Sequence, residues 1–232
     1  MNLPKVLVGS PVSELYDYCF DEFVKSRKSL IYKKYDVLFV DNSKNDAFFN
    51  KLKLHLPAVR IEYDENVRRR MVKSRNLLRK KVIDDGYDYF LNLDQDIIPL
   101  NDIIERLVAH NKPVISGLYF VPEGQYDHRD NNRMEPVSWI NDNGRIRRLN
   151  HAEQSGDSVI KIWTCGTGCI LIHRSVLERV EFRFDEYFAY FDDMWFSRDL
   201  HFNNIDMFMD TGAKCRHLVK GRNWKWADVG WW

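Results

Sequence analysis

Long apolar runs are missing from these 232 residues. No stretch approaches the roughly 18 apolar residues of a membrane-spanning helix. The opening MNLPKVLVGSPVSE offers only Val6–Val8, too short for the apolar region of a secretory signal. Cysteine is scarce: Cys19, Cys165, Cys169 and Cys215 are too few and too scattered for a disulfide framework, which fits a reducing compartment. Nor is there an excess of charge of either sign. With 35 basic and 34 acidic residues the formal net charge is +1, so bulk electrostatics point to neither nucleic acid nor a membrane as partner. Internal repeats and low-complexity linkers are absent too. Together these absences predict a soluble, cytoplasmic protein. At 44% hydrophobic and 30% charged, the chain has enough apolar residues for one packed core under a solvated surface.

What is present is alternation. Lys5–Gly9, Tyr35–Val40, Val59–Tyr63, Tyr87–Leu93 and Pro113–Phe120 read as strands. Helices fall between them: one after Ser10, capped by that serine with Pro11 in its first position, one over Val67–Ile83 ending at Gly86, and one after Asn101 as cap. Strands alternating with helices predict a mostly parallel sheet covered on both faces. The second half differs. Residues 122–134 are polar and read as a loop, and Asn143-Gly144 marks a hairpin turn. Ser158–Thr164, Cys169–His173 and Ile205–Met209 read as strands, and Asp192–Phe202 as a helix.

Ligands of open parallel sheets bind outside the carboxyl ends of the strands. Polar groups end three of them here: Gly9-Ser10, Asp41-Asn42 and Asp94-Gln95-Asp96. An Asp-x-Asp leaving a buried strand suits a hard divalent cation such as Mg²⁺ or Mn²⁺, which takes oxygen ligands and shares them with substrate phosphates. The plainer reading is that Asp94 or Asp96 caps the following turn. The expectation is that a cation, not a protein side chain, answers their charge, with Gln95 facing away from both. The basic helix carrying Arg68, Arg69, Arg70, Lys73, Arg75, Arg79, Lys80 and Lys81 reads as a solvated face balanced by acids elsewhere, with Arg75 the one that interrupts the apolar stripe and can enter the cleft to hold a diphosphate. Cys165, Cys169, Cys215 and His217 have zinc-ligand chemistry, but their spacing favours small buried cysteines. The paired acids Asp192 and Asp193 open a helix, where a carboxylate either caps the dipole or serves as a general base.

In order and spacing, VLVGSP, LFVDNS, SRN at 74–76, NLDQD at 92–96, CGTGCILIHRSVL at 165–177, FDDMWF at 191–196 and CRHL at 215–218 resemble a glycosyltransferase of the GT-A fold, family 2-like. The resemblance spans most of residues 5–218. It implies an α/β, Rossmann-like and mostly parallel central sheet flanked by helices, with a smaller antiparallel acceptor-side portion. It also implies one domain over residues 1–218. Within it, 1–120 form the nucleotide-sugar half and 121–218 the acceptor and catalytic half, ahead of a Trp-rich extension at 219–232. The donor would be a nucleotide-diphosphate sugar and the acceptor a glycan or other hydroxyl compound, with Mn²⁺ or Mg²⁺ as cofactor. By the same analogy Val8, Gly9, Ser10, Pro11 and Asp41 contact the nucleoside, and Arg75 the base or diphosphate. Asp96 ligates the metal, Asp94 leans on ribose or metal, and His217 completes the metal site. Gly166, Thr167 and Gly168 lie near the donor sugar. Asp193 is the base, acting with inversion.

The sequence departs from that family at three points. The acid pair is Asp-Asp where the family has Glu-Asp, so Asp192 competes with Asp193 as base or only orients the loop. Processive synthases carry a Gln-x-x-Arg-Trp motif and membrane spans; RNWKW at 222–226 is at most a faint echo and no span is read, which argues for non-processive transfer. The Trp-rich tail has no counterpart; packing against the domain is its plainest reading, beside a sugar-stacking lid, a dimer contact or a peripheral membrane contact. Two other functional classes compete: an idle nucleotide-sugar or glycan-binding module, and another metal-dependent phosphoryl-transfer enzyme.

Overall fold

The computed structural model describes residues 3–123, 134–225 and 229. Most of the polar segment 122–134 and most of the end of the Trp-rich tail therefore lie outside the described residues. Eight strands form the central sheet: β1 (Val6–Val12), β2 (Tyr35–Asp41), β3 (Ala58–Arg60), β4 (Tyr89–Leu93), β5 (Val114–Leu118), β6 (Val159–Ile162), β7 (Cys169–His173) and β8 (Met207–Lys214). Their order across the sheet is β6-β8-β5-β7-β4-β1-β2-β3. All but β6 and β7 run the same way. Every strand read from the sequence is present, and the sheet is mixed but mostly parallel.

The major helices are α1 (Phe20–Lys28), α2 (Val67–Asp84), α3 (Ile103–Ala109) and α4 (Asp192–Phe202). They cover the two faces that strand alternation creates. Phe90, Ile170 and Ile172 pack with Leu78 and Val82 of α2 and with Phe196 and Leu200 of α4. Leu91, Leu93, Ile115 and Leu171 face the other way, onto Ile103, Ile104 and Leu107 of α3. A third cluster joins Phe20, Phe23 and Val24 of α1 to Phe39, Phe48 and Leu52. Each such side chain withdrawn from water contributes about 1.5–3 kcal/mol before the entropy of ordering is set against it.

Two helix starts differ from the sequence reading. Ser10 does not cap a helix, because β1 continues through Pro11 to Val12; a 3₁₀ turn over Glu14–Cys19 follows and leads into α1. Pairing with β2 on one side draws the backbone on: Ser10, Pro11 and Val12 sit opposite Phe39, Val40 and Asp41. Asn101 likewise is not the cap of α3. Asp102 holds that position, and the Asn101 side chain accepts a hydrogen bond from Ser29 Oγ at 3.0 Å. The turn Asn143-Gly144 is as read, with φ of 51° and 91° closing a hairpin between Ser138–Asp142 and Arg145–Arg148. Trp224 and Val229 pack on the main core, so those two tail residues adopt the plain packing role. Among the described residues no helix is long and apolar enough to cross a membrane.

Candidate active site

The polar strand ends meet because β4, β1 and β2 are neighbours. Two features of the second half complete the cleft. Strand β7 runs antiparallel to β4, with Cys169 opposite Leu93, so the Gly166–Gly168 loop that precedes β7 lies at the carboxyl end of β4. The Asp94 amide donates to Gly168 O at 2.9 Å, and Asn92 Nδ2 donates to Thr167 O at 2.6 Å. The glycines are required by Tyr119: a Cβ at Gly166 would lie 2.1 Å from its hydroxyl oxygen, and one at Gly168 2.8 Å from its ring. Beyond β8, Arg216–His217 pairs antiparallel with Ile97–Ile98, which delivers His217 to Asp96.

The geometry of His217 is the most informative in the cleft. Its Nδ1 lies 2.7 Å from the Phe120 carbonyl oxygen, which can only accept, so Nδ1 carries a proton. Its Nε2 faces Asp96 Oδ2 at 3.1 Å. In a neutral ring that would set a lone pair against a carboxylate. A positive species must lie between them, either a second ring proton or a metal ion. Burial alone would lower the imidazole's pKa; the Asp96 hydrogen bond and charge outweigh it and hold it above the ordinary value. A backbone carbonyl fixing Nδ1–H is the usual support of a metal-binding histidine. Among the described residues no group of three or more His, Cys, Asp or Glu forms a ready-made metal cage. The Asp96–His217 pair with Asp94 nearby fits instead a cation that completes its shell with substrate oxygens.

Asp94 corrects one expectation, since a protein cation does reach it. Arg75 Nη2 lies 3.4 Å from its Oδ1, and Asn92 Nδ2 donates to the same oxygen at 2.8 Å. Burial pushes the Asp94 carboxyl up, Arg75 pulls it down, and Asp96 adds to the upward push. Arg75 is only 2% exposed, and its Nη1 is 2.5 Å from Asp192 Oδ2. Against the cost of burial, Asp192 and Asp94 keep the guanidinium firmly charged. The rest of the basic helix is balanced by surface acids only in part, since Arg70 is buried on the Asp64 carbonyl and Arg68 donates to the Asp185 carbonyl. Arg69 and Lys73 meet Asp64, Lys80 meets Asp84, Lys81 meets Asp85, and Arg79 donates to the Leu177 and Val180 carbonyls.

The acid pair therefore divides. Asp192 is consumed by Arg75. Among the described residues the Asp193 carboxylate accepts from the Met194 amide alone, at 2.7 Å, and it is raised to about 6 by burial first and then by the Asp192 charge. A carboxylate poised there is suited to accept a proton near neutrality.

At the carboxyl end of β1, Ser10 is buried with its Oγ unpartnered among the described residues, while Val8 is wholly within the core. Gly9 serves close packing: a Cβ there would lie 2.2 Å from Leu38 O. Pro11 is buried in β1. The Asp41 carboxylate is already engaged, by Ser43 Oγ at 2.5 Å and Arg60 Nε at 3.2 Å, so it shapes this end of the cleft together with Arg60. The cysteines are free and buried, Cys165 in one core cluster and Cys169 with Cys215 in another, which is the small-buried-cysteine reading.

Sequence reasoning missed two supports. Arg27, 1% exposed, donates to the carbonyls of Ile97 at 3.0 Å, Leu93 at 3.2 Å and Asp94 at 2.6 Å, clamping the turn that presents the acids. Its signal was position: it continues the buried stripe of Phe20, Phe23 and Val24 at helical spacing. Gln95 is the second, its Oε1 accepting from the Ser13 amide at 3.0 Å and its Nε2 donating to Tyr16 O at 3.1 Å. It ties the β1 loop to the acidic segment and offered no signal beyond alternation.

The same fold recurs in solved structures of low identity. A197 from STIV matches with a TM-score of 0.52 at 14% identity, over 94% of this chain and 87% of that one. GalNAc-T7, crystallised with UDP, GalNAc and Mn²⁺, matches at 0.65 and 13% over 97% of this chain. TarS from S. aureus matches at 0.60 and 16% over 93%. This chain spans only 45% and 37% of the last two. No curated protein matches it in sequence. The α/β sheet with its helical layers is thus the GT-A fold inferred from the motifs. The model of the Anp1 family matches residues 22–164, more than half of the chain, and the protein belongs to that glycosyltransferase family.

Proposed function

We propose that the protein transfers a sugar from a nucleotide-diphosphate donor to an acceptor hydroxyl, non-processively and with inversion. The observation that supports this reading is the orientation of His217, whose Nδ1 is held by the Phe120 carbonyl so that Nε2 faces Asp96 Oδ2 at 3.1 Å. Asp96 and His217, with Asp94 beside them, would hold Mn²⁺ or Mg²⁺. That cation supplies neutralisation of the charge that grows on the diphosphate leaving group. The GalNAc-T7 structure with UDP and Mn²⁺ on the same fold supports such a donor and cation. Ser10, Pro11 and the Asp41–Arg60 pair border the nucleoside end. Gly166, Thr167 and Gly168 line the sugar end.

Asp193 takes the acceptor proton. As the acceptor oxygen forms its bond to the anomeric carbon, the carbon–phosphate oxygen bond breaks and its electron pair leaves with the diphosphate. One base and direct attack give inversion. Asp192 has no part in proton transfer, because its carboxylate holds Arg75. Four free thiols fit a reducing, cytoplasmic setting. The test is NMR of the product formed from a donor of known anomeric configuration. An inverted centre supports the reading, and a retained one overturns it.

A further inference from the structure

One face of α4 is not used by the core or by the proposed chemistry. It borders a groove of about 420 Å³, within the size range of ligand sites. Met194, Ser197, Arg198, His201 and Phe202 recur at three- and four-residue spacing and form one wall, beginning one residue after Asp193. The other wall is Trp163 and Thr164, which lead directly into the Gly166–Gly168 loop. A hydrogen bond of 2.8 Å from Thr164 Oγ1 to Ser197 Oγ joins the walls. The groove is thus built on the two elements that frame the candidate base.

Its chemistry is amphipathic. Trp163 is stacked on His201, with centroids 3.8 Å apart and planes 19° from parallel. His201 Nε2 also lies 2.7 Å from Trp163 O, so the platform is fixed on both its ring and its backbone. Trp163 nevertheless stays 38% exposed and Phe202 71% exposed. Arg198 lies over the Trp195 and Phe202 rings and has no ion pair among the described residues. The buried Thr164 and Ser197 hydroxyls are spent on bracing the walls, through each other and the Asp193 carbonyl. What the groove presents is aromatic surface beside a guanidinium edge, with no carboxylate in the lining, which matches a pyranose with its carbon–hydrogen faces and hydroxyl edges. Position narrows this further. At 1.5 Å per helical residue, Arg198 to Phe202 lie about 8–14 Å along α4 from Asp193, farther than the ring bearing the attacking hydroxyl can reach.

We propose that this groove is a distal acceptor subsite, holding the second and third units of a neutral oligosaccharide whose terminal unit presents its hydroxyl to Asp193. The proposal rests on the glycosyltransfer reading, and it adds that the acceptor is an oligosaccharide recognised by length.

The test is saturation-transfer and titration NMR of the whole chain. Neutral gluco-, manno-, galacto- and N-acetylglucosamine-based oligosaccharides of one to four units serve as probes, with alkyl glucosides of increasing chain length as comparison. In at least one series affinity should rise about tenfold from one unit to three, with the Trp163 indole signal shifting. Trp163→Ala and Phe202→Ala should each flatten that rise, and the latter, at a well-exposed position, leaves a folded protein to measure if the former does not. Absence of length dependence in every series, a rise unchanged in the Phe202 variant, or affinity that tracks alkyl length instead of sugar count would overturn the proposal. Binding of nucleoside diphosphates with Mn²⁺ to the wild type is measured in parallel. Lost nucleotide binding with intact glycan binding removes the donor reading and leaves the groove; the converse removes the groove and leaves the donor site.

Discussion

Among single residues, the division of labour between Asp192 and Asp193 follows from one cation. Arg75 is buried and has to be balanced; Asp192 does this from the first turn of α4, and Asp193, only partly offset by the same guanidinium, makes no ion pair among the described residues. Removing Arg75 as Arg75→Met strands a buried carboxylate and should destabilise the fold by about 3–5 kcal/mol in urea unfolding, with Asp192→Asn added to it recovering part of the loss. Because burial disfavours its anion, Asp193→Asn should raise the urea midpoint at neutral pH while lowering kcat by about 10²–10⁴-fold, the span of a general base. The pH dependence has a definite sign. The base acts as the anion, its pKa is raised to about 6, and so kcat/KM should fall as pH drops through about 6 and level off above it. A profile flat from pH 5 to 8 would remove Asp193 from the proton transfer.

The secondary-structure elements present the site through backbone contacts as much as through side chains. Arg27 holds three carbonyls of the Leu93–Ile97 turn, so Arg27→Met should loosen Asp94 and Asp96 and weaken Mn²⁺ binding by calorimetry, although neither carboxylate touches it. Gly168→Ala forces a Cβ into the Tyr119 ring and should cost about 1–3 kcal/mol in thermal or urea unfolding. The central strands were legible because apolar runs bounded by polar residues have few other fates in a covered sheet. α4 was legible to the residue, since the Asp192-Asp193 pair and the apolar spacing behind it agree. The entry to α1 was not. Ser10-Pro11 has the local chemistry of a helix start, but pairing with β2 outweighed that local preference and carried the strand three residues further. The capping role of Asn101 was lost in the same way, to a tertiary hydrogen bond from Ser29.

For the molecule as a whole, the reversed strand β7 and the late Arg216–His217 strand explain how residues far apart in sequence meet. Asp96 and His217 are 121 positions apart, and Arg75 and Asp192 are 117 apart. The sequence shows the members of such a set but not their pairings. Arg75 was readable as a cleft residue because it broke an apolar stripe; that it would neutralise Asp192 and touch Asp94 was not, since both contacts depend on how α2 and α4 pack over the sheet. Asp41 is the converse case, a strand-end acid whose partner Arg60 lies on the neighbouring edge strand.

In the proposed reaction Asp96 and His217 would hold a divalent cation that a donor diphosphate completes. The most direct test is calorimetric titration of a nucleoside diphosphate panel with and without Mn²⁺, on the wild type and on His217→Ala. The account predicts that at least one nucleoside diphosphate binds the wild type only when Mn²⁺ is present, and that His217→Ala weakens this cation-dependent binding at least about tenfold while remaining folded. Nucleotide binding indifferent to both Mn²⁺ and His217, or no nucleotide binding under any of these conditions, would contradict it.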